Sequence, residues 1–438
     1  MPALLSLRDR VLILAVAFLG WLGAGVHMGI TQQTGRAASI DLLGRTGEID
    51  AAQFAMLSTQ SNLSLAEMAQ LKEWEVPIGR WFAWNQCAFL FGAAAGGLLF
   101  GWLGDRIGRV KGMSLSILTY SFFSATVYFA QAPEQFVGLW FLACLGIGGM
   151  WPNGVALVAE AWSHLSRPLT AGIIGTAANI GIFLLATLAK QVPITPDDWR
   201  WVMLVGAAPL VLGLFSLVMV PESPRWLATQ GNQLANTPAS SGSILRPPLL
   251  WVTLVGIVLA TTPVIGGWGT ANWMTPWAEK AGGPALRADA LQTRAMTSIV
   301  GSLLGGWIAS VVGRRLTYFL VSVVSLLIAQ FMFRFLVPTD ELFLFWVGVL
   351  GFVSGIYFGW LPLCLPELFP TRVRSTGAGV SFNFGRIATA MTLFASGALM
   401  GYFGGDYARI GQITSMFFLF GIVAILFAPD TSKKQLDD

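Results

Sequence analysis

Arg386 sets the chemical problem in this chain. It stands about ten residues into an apolar stretch that opens near Thr376, and at about 1.5 Å of rise per helical residue that is the middle of a lipid bilayer. A charge at that depth costs at least ~2.5 kcal/mol, yet none of the 22 acidic residues falls deep inside an apolar stretch. Backbone carbonyls, water in a central cavity or a negative group on a bound solute must then compensate the guanidinium. The last would make the arginine functional, with an organic anion as the solute. Asn383, one turn earlier, shares its helical face and adds a second polar group.

Other residues offer weaker chemistry. His27 is the one histidine within an apolar stretch, and its ordinary pKa near 6.5 suits either a proton carrier or a neutral donor to a solute or a carbonyl. Trp151 and Asn153 flank Pro152, where freed backbone can line a cavity. Trp268 with Asn272, and Tyr357 with Trp360, stand one turn apart, so that a ring stacks on a flat molecule while a polar group orients it. Helix packing and interfacial anchoring compete for all 18 Trp.

Most motif charges gather at one end of the apolar stretches: Asp105, Arg106, Arg109, Glu160, Arg167, Glu222, Arg225, Arg314, Arg315, Glu367, Arg372 and Arg374. Exposed ion pairs contribute only about 0–1 kcal/mol each, so several of them bias an equilibrium without locking it. Such a network can pair when a mouth is shut and hydrate when it opens. Plain topology signalling by Arg and Lys is the alternative. The chain has no Gly-x-x-x-x-Gly-Lys-Ser/Thr loop, which excludes ATP hydrolysis through a P-loop. Cys87, Cys144 and Cys364 lie in apolar stretches without metal-ligand spacing. Neither an enzyme nor a metal or cofactor is expected.

The elements that must hold these residues follow from composition. Of 438 residues, 55% are hydrophobic and 11% charged, too little charge for a soluble domain. Twelve runs long enough to cross a bilayer are predicted: Val11 to Gln33, Trp81 to Leu103, Met113 to Ala130, Phe136 to Ala159, Leu169 to Lys190, Trp201 to Val220, Leu249 to Trp273, Thr293 to Val312, Leu316 to Val337, Leu342 to Leu365, Thr376 to Met400 and Ile410 to Ala428. The expected fold is an all-α membrane protein of twelve transmembrane helices in two six-helix bundles, residues 1–220 and 248–438. The polar stretch 221–247 joins them in the cytoplasm, and residues 34–79 form an external loop. In that loop Ser64-Leu65-Ala66-Glu67 predicts a capping box opening a helix to about Val76. Lys and Arg outnumber Asp and Glu on the side that carries both termini, which places that side in the cytoplasm. The net charge of +4 is explained by this asymmetry, so no nucleic acid is implied.

Two echoes divide the chain. Gly101-Trp102-Leu103-Gly104-Asp105-Arg106-Ile107-Gly108-Arg109 recurs as Gly306-Trp307-Ile308-Ala309-Ser310-Val311-Val312-Gly313-Arg314, 205 residues later. Glu160 to Arg167 recurs as Glu367 to Arg374, offset by 207, which pairs Asn179 with Arg386. Duplicated bundles with a midplane site between them are the architecture of alternating-access carriers. Asp105 and Arg106 have become Ser310 and Val311 in the second copy, so the charged gate is expected to be stronger on the first.

At these motifs the chain resembles the major facilitator superfamily over essentially its whole length. GWLGDRIGRVK, Gly101 to Lys111, is similar to the family's hairpin between its second and third spans, and Pro221 to Leu227, PESPRWL, resembles the element after span six in sugar porters and organic-ion transporters. Glu367 to Arg374 is similar to the element after span ten, and Pro429-Asp430-Thr431 to the sugar porters' terminal Pro-Glu-Thr. The resemblance implies that the motif charges named above form a cytoplasmic gate. It also implies a basic residue in span eleven, as in the organic-anion branch, which Arg386 matches. Span seven lacks the paired glutamines of glucose-type porters, and Ala24-Gly25-Val26-His27 has no carboxylate where proton-coupled bacterial relatives often place one.

The expectation is a transporter of a small organic solute, an organic anion before a sugar or polyol, in a bacterial inner membrane and monomeric. Its alternative from another class is a receptor or sensor on the same fold. The expected contacts with solute are Arg386, Asn383, Asn179, His27, Trp151, Asn153, Trp268, Asn272, Tyr357 and Trp360.

Overall fold

The structure is a computed structural model that describes residues 5–60, 62–162, 167–232, 244–370, 373–402 and 406–431. Among them are helices α1 (Leu7–Thr46), α2 (Ala51–Thr59), α3 (Leu65–Ile107), α4 (Arg109–Val127), α5 (Pro133–Ala161), α6 (Arg167–Gln191), α7 (Trp201–Ala207), α8 (Leu210–Met219) and α9 (Pro224–Asn232). The second half holds α10 (Leu249–Thr262), α11 (Thr270–Val311), α12 (Arg314–Phe335), α13 (Phe343–Glu367), α14 (Arg374–Tyr402), α15 (Tyr407–Ser415) and α16 (Phe418–Phe427). A π-helical segment, Pro263–Gly269, joins α10 to α11.

Twelve membrane crossings result once the broken helices are paired: α7 with α8 and α15 with α16 are spans six and twelve, and α11 turns back at Gly282 and Gly283 to supply parts of spans seven and eight. The halves repeat in detail. A Cβ on Gly96 would lie 1.8 Å from the Leu145 carbonyl oxygen, and one on Gly301 would lie 2.0 Å from that of Phe352. These pairs are related by the offsets read in the sequence, and each allows two helix backbones to touch.

Nine described helical stretches are long and apolar enough to cross a membrane by themselves. α4 is not among them, because its buried Ser114, Ser116, Ser121 and Ser124 lower its hydropathy while facing protein. Ser114 meets Ser216 at 2.5 Å, and Ser116 returns its hydroxyl to the Gly112 carbonyl at 2.8 Å.

The external loop is mostly helix. α1 continues past the expected end of span one to Thr46, and α3 begins at Leu65 and runs through Pro77 into span two without stopping near Val76. The capping box is formed, with Glu67 N donating to Ser64 Oγ at 3.3 Å and Ser64 N to Glu67 Oε2 at 2.7 Å. Ile40, Leu43, Ile49, Phe54 and Ile78 form a small core that α1, α2 and α3 share. Its charged edge is braced at Asp41, which accepts from Trp199 Nε1 at 3.0 Å and Arg200 Nη1 at 2.6 Å. The linker also carries α9, so 221–247 is not wholly irregular.

Candidate functional site

Arg386 lies twelve residues into α14, about 18 Å along its axis, and is 3% exposed. Its Nη1 donates to Asn383 Oδ1 at 2.6 Å, and Asn383 Nδ2 donates to the Gly379 carbonyl at 2.8 Å. The guanidinium carbon is 5.0 Å from the centroid of Phe382. No carboxylate forms an ion pair with Arg386 among the described residues. Asn383 faces Gly97 of α3 so closely that a Cβ there would lie 1.7 Å from Nδ2. Trp151 of α5 stacks on Phe382, centroids 4.4 Å apart and planes 13° apart. The array therefore sits where α14 of the second half meets α3 and α5 of the first.

Asn179 occupies the equivalent boundary between α6 and α11, with Nδ2 3.4 Å from Ser302 Oγ. The offsets make Ser302 the counterpart of Gly97. The second half thus sets the Asn383 amide, with Arg386 bound to it, opposite a glycine where the first sets the Asn179 amide opposite a hydroxyl.

The remaining candidates go elsewhere. His27 points into the first bundle, its Nδ1 2.8 Å from the Gly23 carbonyl and its ring against Tyr120 and Trp140. Asn153 spends its amide on the Phe100 and Gly149 carbonyls at 2.8 and 2.9 Å, holding α5 to α3. Tyr357 pairs with Ser322 Oγ at 2.7 Å, and Trp360 Nε1 donates to the Arg314 carbonyl at 2.8 Å, both within the second bundle. The structure does not bring these four to the boundary that holds Arg386: the hydrogen bonds of each lie within its own bundle. The side chains of Trp268, Asn272 and Arg167, and the whole of Arg372, lie outside the described residues.

At the charged end, Arg109 is buried between Asp105, with which it pairs, and Glu160 at 3.5 Å. Glu160 also faces Arg374 at 3.7 Å and accepts from Ser223 Oγ at 2.6 Å. Asp105 reaches across to the other half, where its Oδ2 accepts from Thr376 N at 3.0 Å and from the Thr376 hydroxyl. That is the N-terminus of α14, where unsatisfied amides favour an anion. Glu222 does the same for α4, accepting from Arg109 N at 3.0 Å and Val110 N at 3.1 Å. Burial raises the Glu222 pKa above its ordinary 4.5, and the amides of Ser223, Val110 and Arg109 oppose that rise.

The second copy carries an ion pair of its own. Arg314 faces Glu367 at 3.3 Å, and Thr431 Oγ1 donates to Glu367 Oε2 at 2.7 Å, all within one half. Arg106, expected in the network, is instead exposed over the Trp102 ring at 4.7 Å. Arg315 donates to the Leu426 carbonyl at 2.6 Å, and Arg225 is half-buried. Ser223 and Thr431 join the network without having been expected there, although each follows a Pro-acid pair in a motif that could mark it. Thr376 and Phe382 carry no such signal.

The opposite ends of the halves are tied as well. Arg287 donates to the Gln32 carbonyl at 3.0 Å, and Lys190 reaches Asp289 at 2.9 Å and Gln292 at 2.6 Å. Contacts thus join the halves at both ends, and Arg386 between them is 3% exposed.

A duplicated bundle whose halves meet at both ends around a buried cation is the architecture of the carriers. The chain belongs to the Major Facilitator Superfamily, whose sequence profile matches residues 52–393, and it is a membrane transporter, not an enzyme. It is 27% identical over 362 residues to the cis,cis-muconate transport protein of Acinetobacter baylyi, covering 80% of this chain and 84% of the relative. It is 25% identical to the gentisate transporter of Corynebacterium glutamicum, covering 83% and 80%. In fold it superposes on the proton:xylose symporter XylE, bound to 6-bromo-6-deoxy-D-glucose, with a TM-score of 0.72 over 98% of both chains at 17% identity.

Proposed function

We propose that this transporter carries a small organic anion, with Arg386 as the contact for its negative group. The observation that carries the reading is a guanidinium at mid-depth, on the boundary between halves, held by one amide oxygen and one ring face. A charge so placed is costly unless a partner arrives. The two bacterial relatives support the reading, because both names specify organic acids.

Asn383 holds Arg386 and releases it to the arriving solute. Asn179 lies on the pseudo-equivalent boundary and contributes from the first half. Asp105, Arg109, Glu160 and Arg374 form the cytoplasmic gate, since their contacts join the halves. The basic side of the chain, with both termini, faces the cytoplasm of a bacterial cell, and one chain suffices for transport.

The test is counterflow in proteoliposomes with anionic, neutral and cationic solutes over a range of pH. Exchange of an anion that weakens at least tenfold in Arg386→Ala is expected, because a hydrogen-bonded buried charge pair is worth more than about 1.4 kcal/mol. Exchange of a neutral sugar by both proteins alike would overturn the assignment. Binding without exchange would make the protein a receptor.

A further inference from the structure

Phe382 lies at the centre of the buried array without any sequence feature to mark it. It is one helical turn from Arg386, whose guanidinium carbon approaches its centroid to 5.0 Å. Its ring lies nearly parallel to that of Trp151, which comes from the other half of the molecule. Both side chains are buried, Phe382 at 4% and Trp151 at 4% exposure. Trp151 precedes Pro152 inside α5, where the helix lacks one amide donor.

At 4.4 Å between centroids the two rings are already at the contact limit for aromatic pairs. A third ring between them would need the halves to part by one ring thickness, about 3.5 Å. Two parallel π faces beside a cation match a flat, conjugated molecule that ends in a carboxylate. A saturated ring of the same size is thicker and offers no π face. The arginine's long stem lets the planar guanidinium turn from Phe382 and Asn383 to such a carboxylate.

We propose that Trp151 and Phe382 form a recognition slot for the planar, conjugated body of the anion, held shut by their own stacking until the ligand enters. Entry of the ligand plane separates α5 from α14 and so couples recognition to movement of the halves. This rests on the reading of Arg386 as the anion contact and adds to it a specificity-determining residue, Phe382, and a substrate class.

Ligand-induced thermal shifts of the purified protein test it with two matched pairs of anions: benzoate against cyclohexanecarboxylate, and cis,cis-muconate against adipate. The wild type is expected to bind the planar member of at least one pair about 3- to 10-fold more tightly. Phe382→Leu should abolish that preference and Phe382→Tyr should keep it, while Arg386→Ala weakens both members together. Equal affinities within both pairs in the wild type, or binding of no planar member, would overturn the slot. So would a preference that survives in both Phe382→Leu and Trp151→Leu. Loss of the planar preference in Phe382→Leu with Arg386→Ala binding unchanged would leave the slot standing and remove only the arginine reading.

Discussion

Replacing Asp105 by alanine isolates the tie that holds the charged ends of the two halves together. The carboxylate loses Arg109 within its own half and the Thr376 amide and hydroxyl in the other half. Only the second loss changes the balance between open and closed. Hydrogen bonds to charged groups are worth about 1.5–3 kcal/mol each, and an anion at a partly buried helix N-terminus up to ~2 kcal/mol. Asp105 keeps 11% side-chain exposure and hydrates when the ends part, so a net of about 2 kcal/mol is a fair figure for the tie. At 1.4 kcal/mol per factor of ten, that moves the open-to-closed ratio about 30-fold.

Spin labels on Arg106→Cys and Leu316→Cys would report the ratio as two distances. Both positions are exposed and stand on opposite halves, while Cys87, Cys144 and Cys364 are buried and escape labelling. Asp105→Ala should populate the longer distance and slow exchange, and Asp105→Asn, which keeps an oxygen acceptor but not the charge, should fall between. In a double-mutant cycle Thr376→Val should add little to Asp105→Ala. An unchanged distance distribution together with normal exchange would refute the tie.

Three further outcomes follow from single contacts. Gly97→Ala places a Cβ 1.7 Å from Asn383 Nδ2, so the Asn383 amide must leave its place beside Arg386 or α3 and α14 must separate. Position 97 is ordinary helix, so the crowding alone acts, and exchange in proteoliposomes should fall severalfold. Asn153→Ala removes a clamp between α5 and α3 and should cost about 1–3 kcal/mol of stability, read as a lower melting temperature with solute preference intact. Asp41 is pulled up by burial, but hydrogen bonds from Trp199, Arg45 and Arg200 hold it below its ordinary 3.8. Its stabilisation is therefore complete above pH 3.8 and lost as pH falls below that value. The gap in melting temperature between wild type and Asp41→Asn should stay constant near neutral pH and close in acid.

Much of this molecule is legible in one dimension. Apolar runs of bilayer length locate the crossings, because lipid leaves the backbone no alternative to a helix. The repeated hairpins locate the two halves, and counting along span eleven puts Arg386 at mid-depth. Depth along a helix depends only on rise per residue, which every sequence shares.

Direction around the helix is another matter. Arg106 and Arg109 stand three residues apart in one motif, yet one lies over Trp102 in the open and the other is buried between two acids. His27, Asn153, Tyr357 and Trp360 are as polar or aromatic as the residues at the boundary, but their helices turn them into bundle cores. Phe382 is one of 30 phenylalanines, distinguished only by what Trp151 and Arg386 place beside it. The external segment reads as a polar loop because its few apolar residues become a core only when α1, α2 and α3 meet.

The order of residues is enough to give the class of solvent, the number of crossings, the duplication and the place of Arg386 along its helix. Which faces meet is settled only on folding: Asp105 on the α14 terminus, Asn383 in the space left by Gly97, Trp151 on Phe382. Length and depth are properties of a single helix, whereas facing is set by contact between helices far apart in the chain.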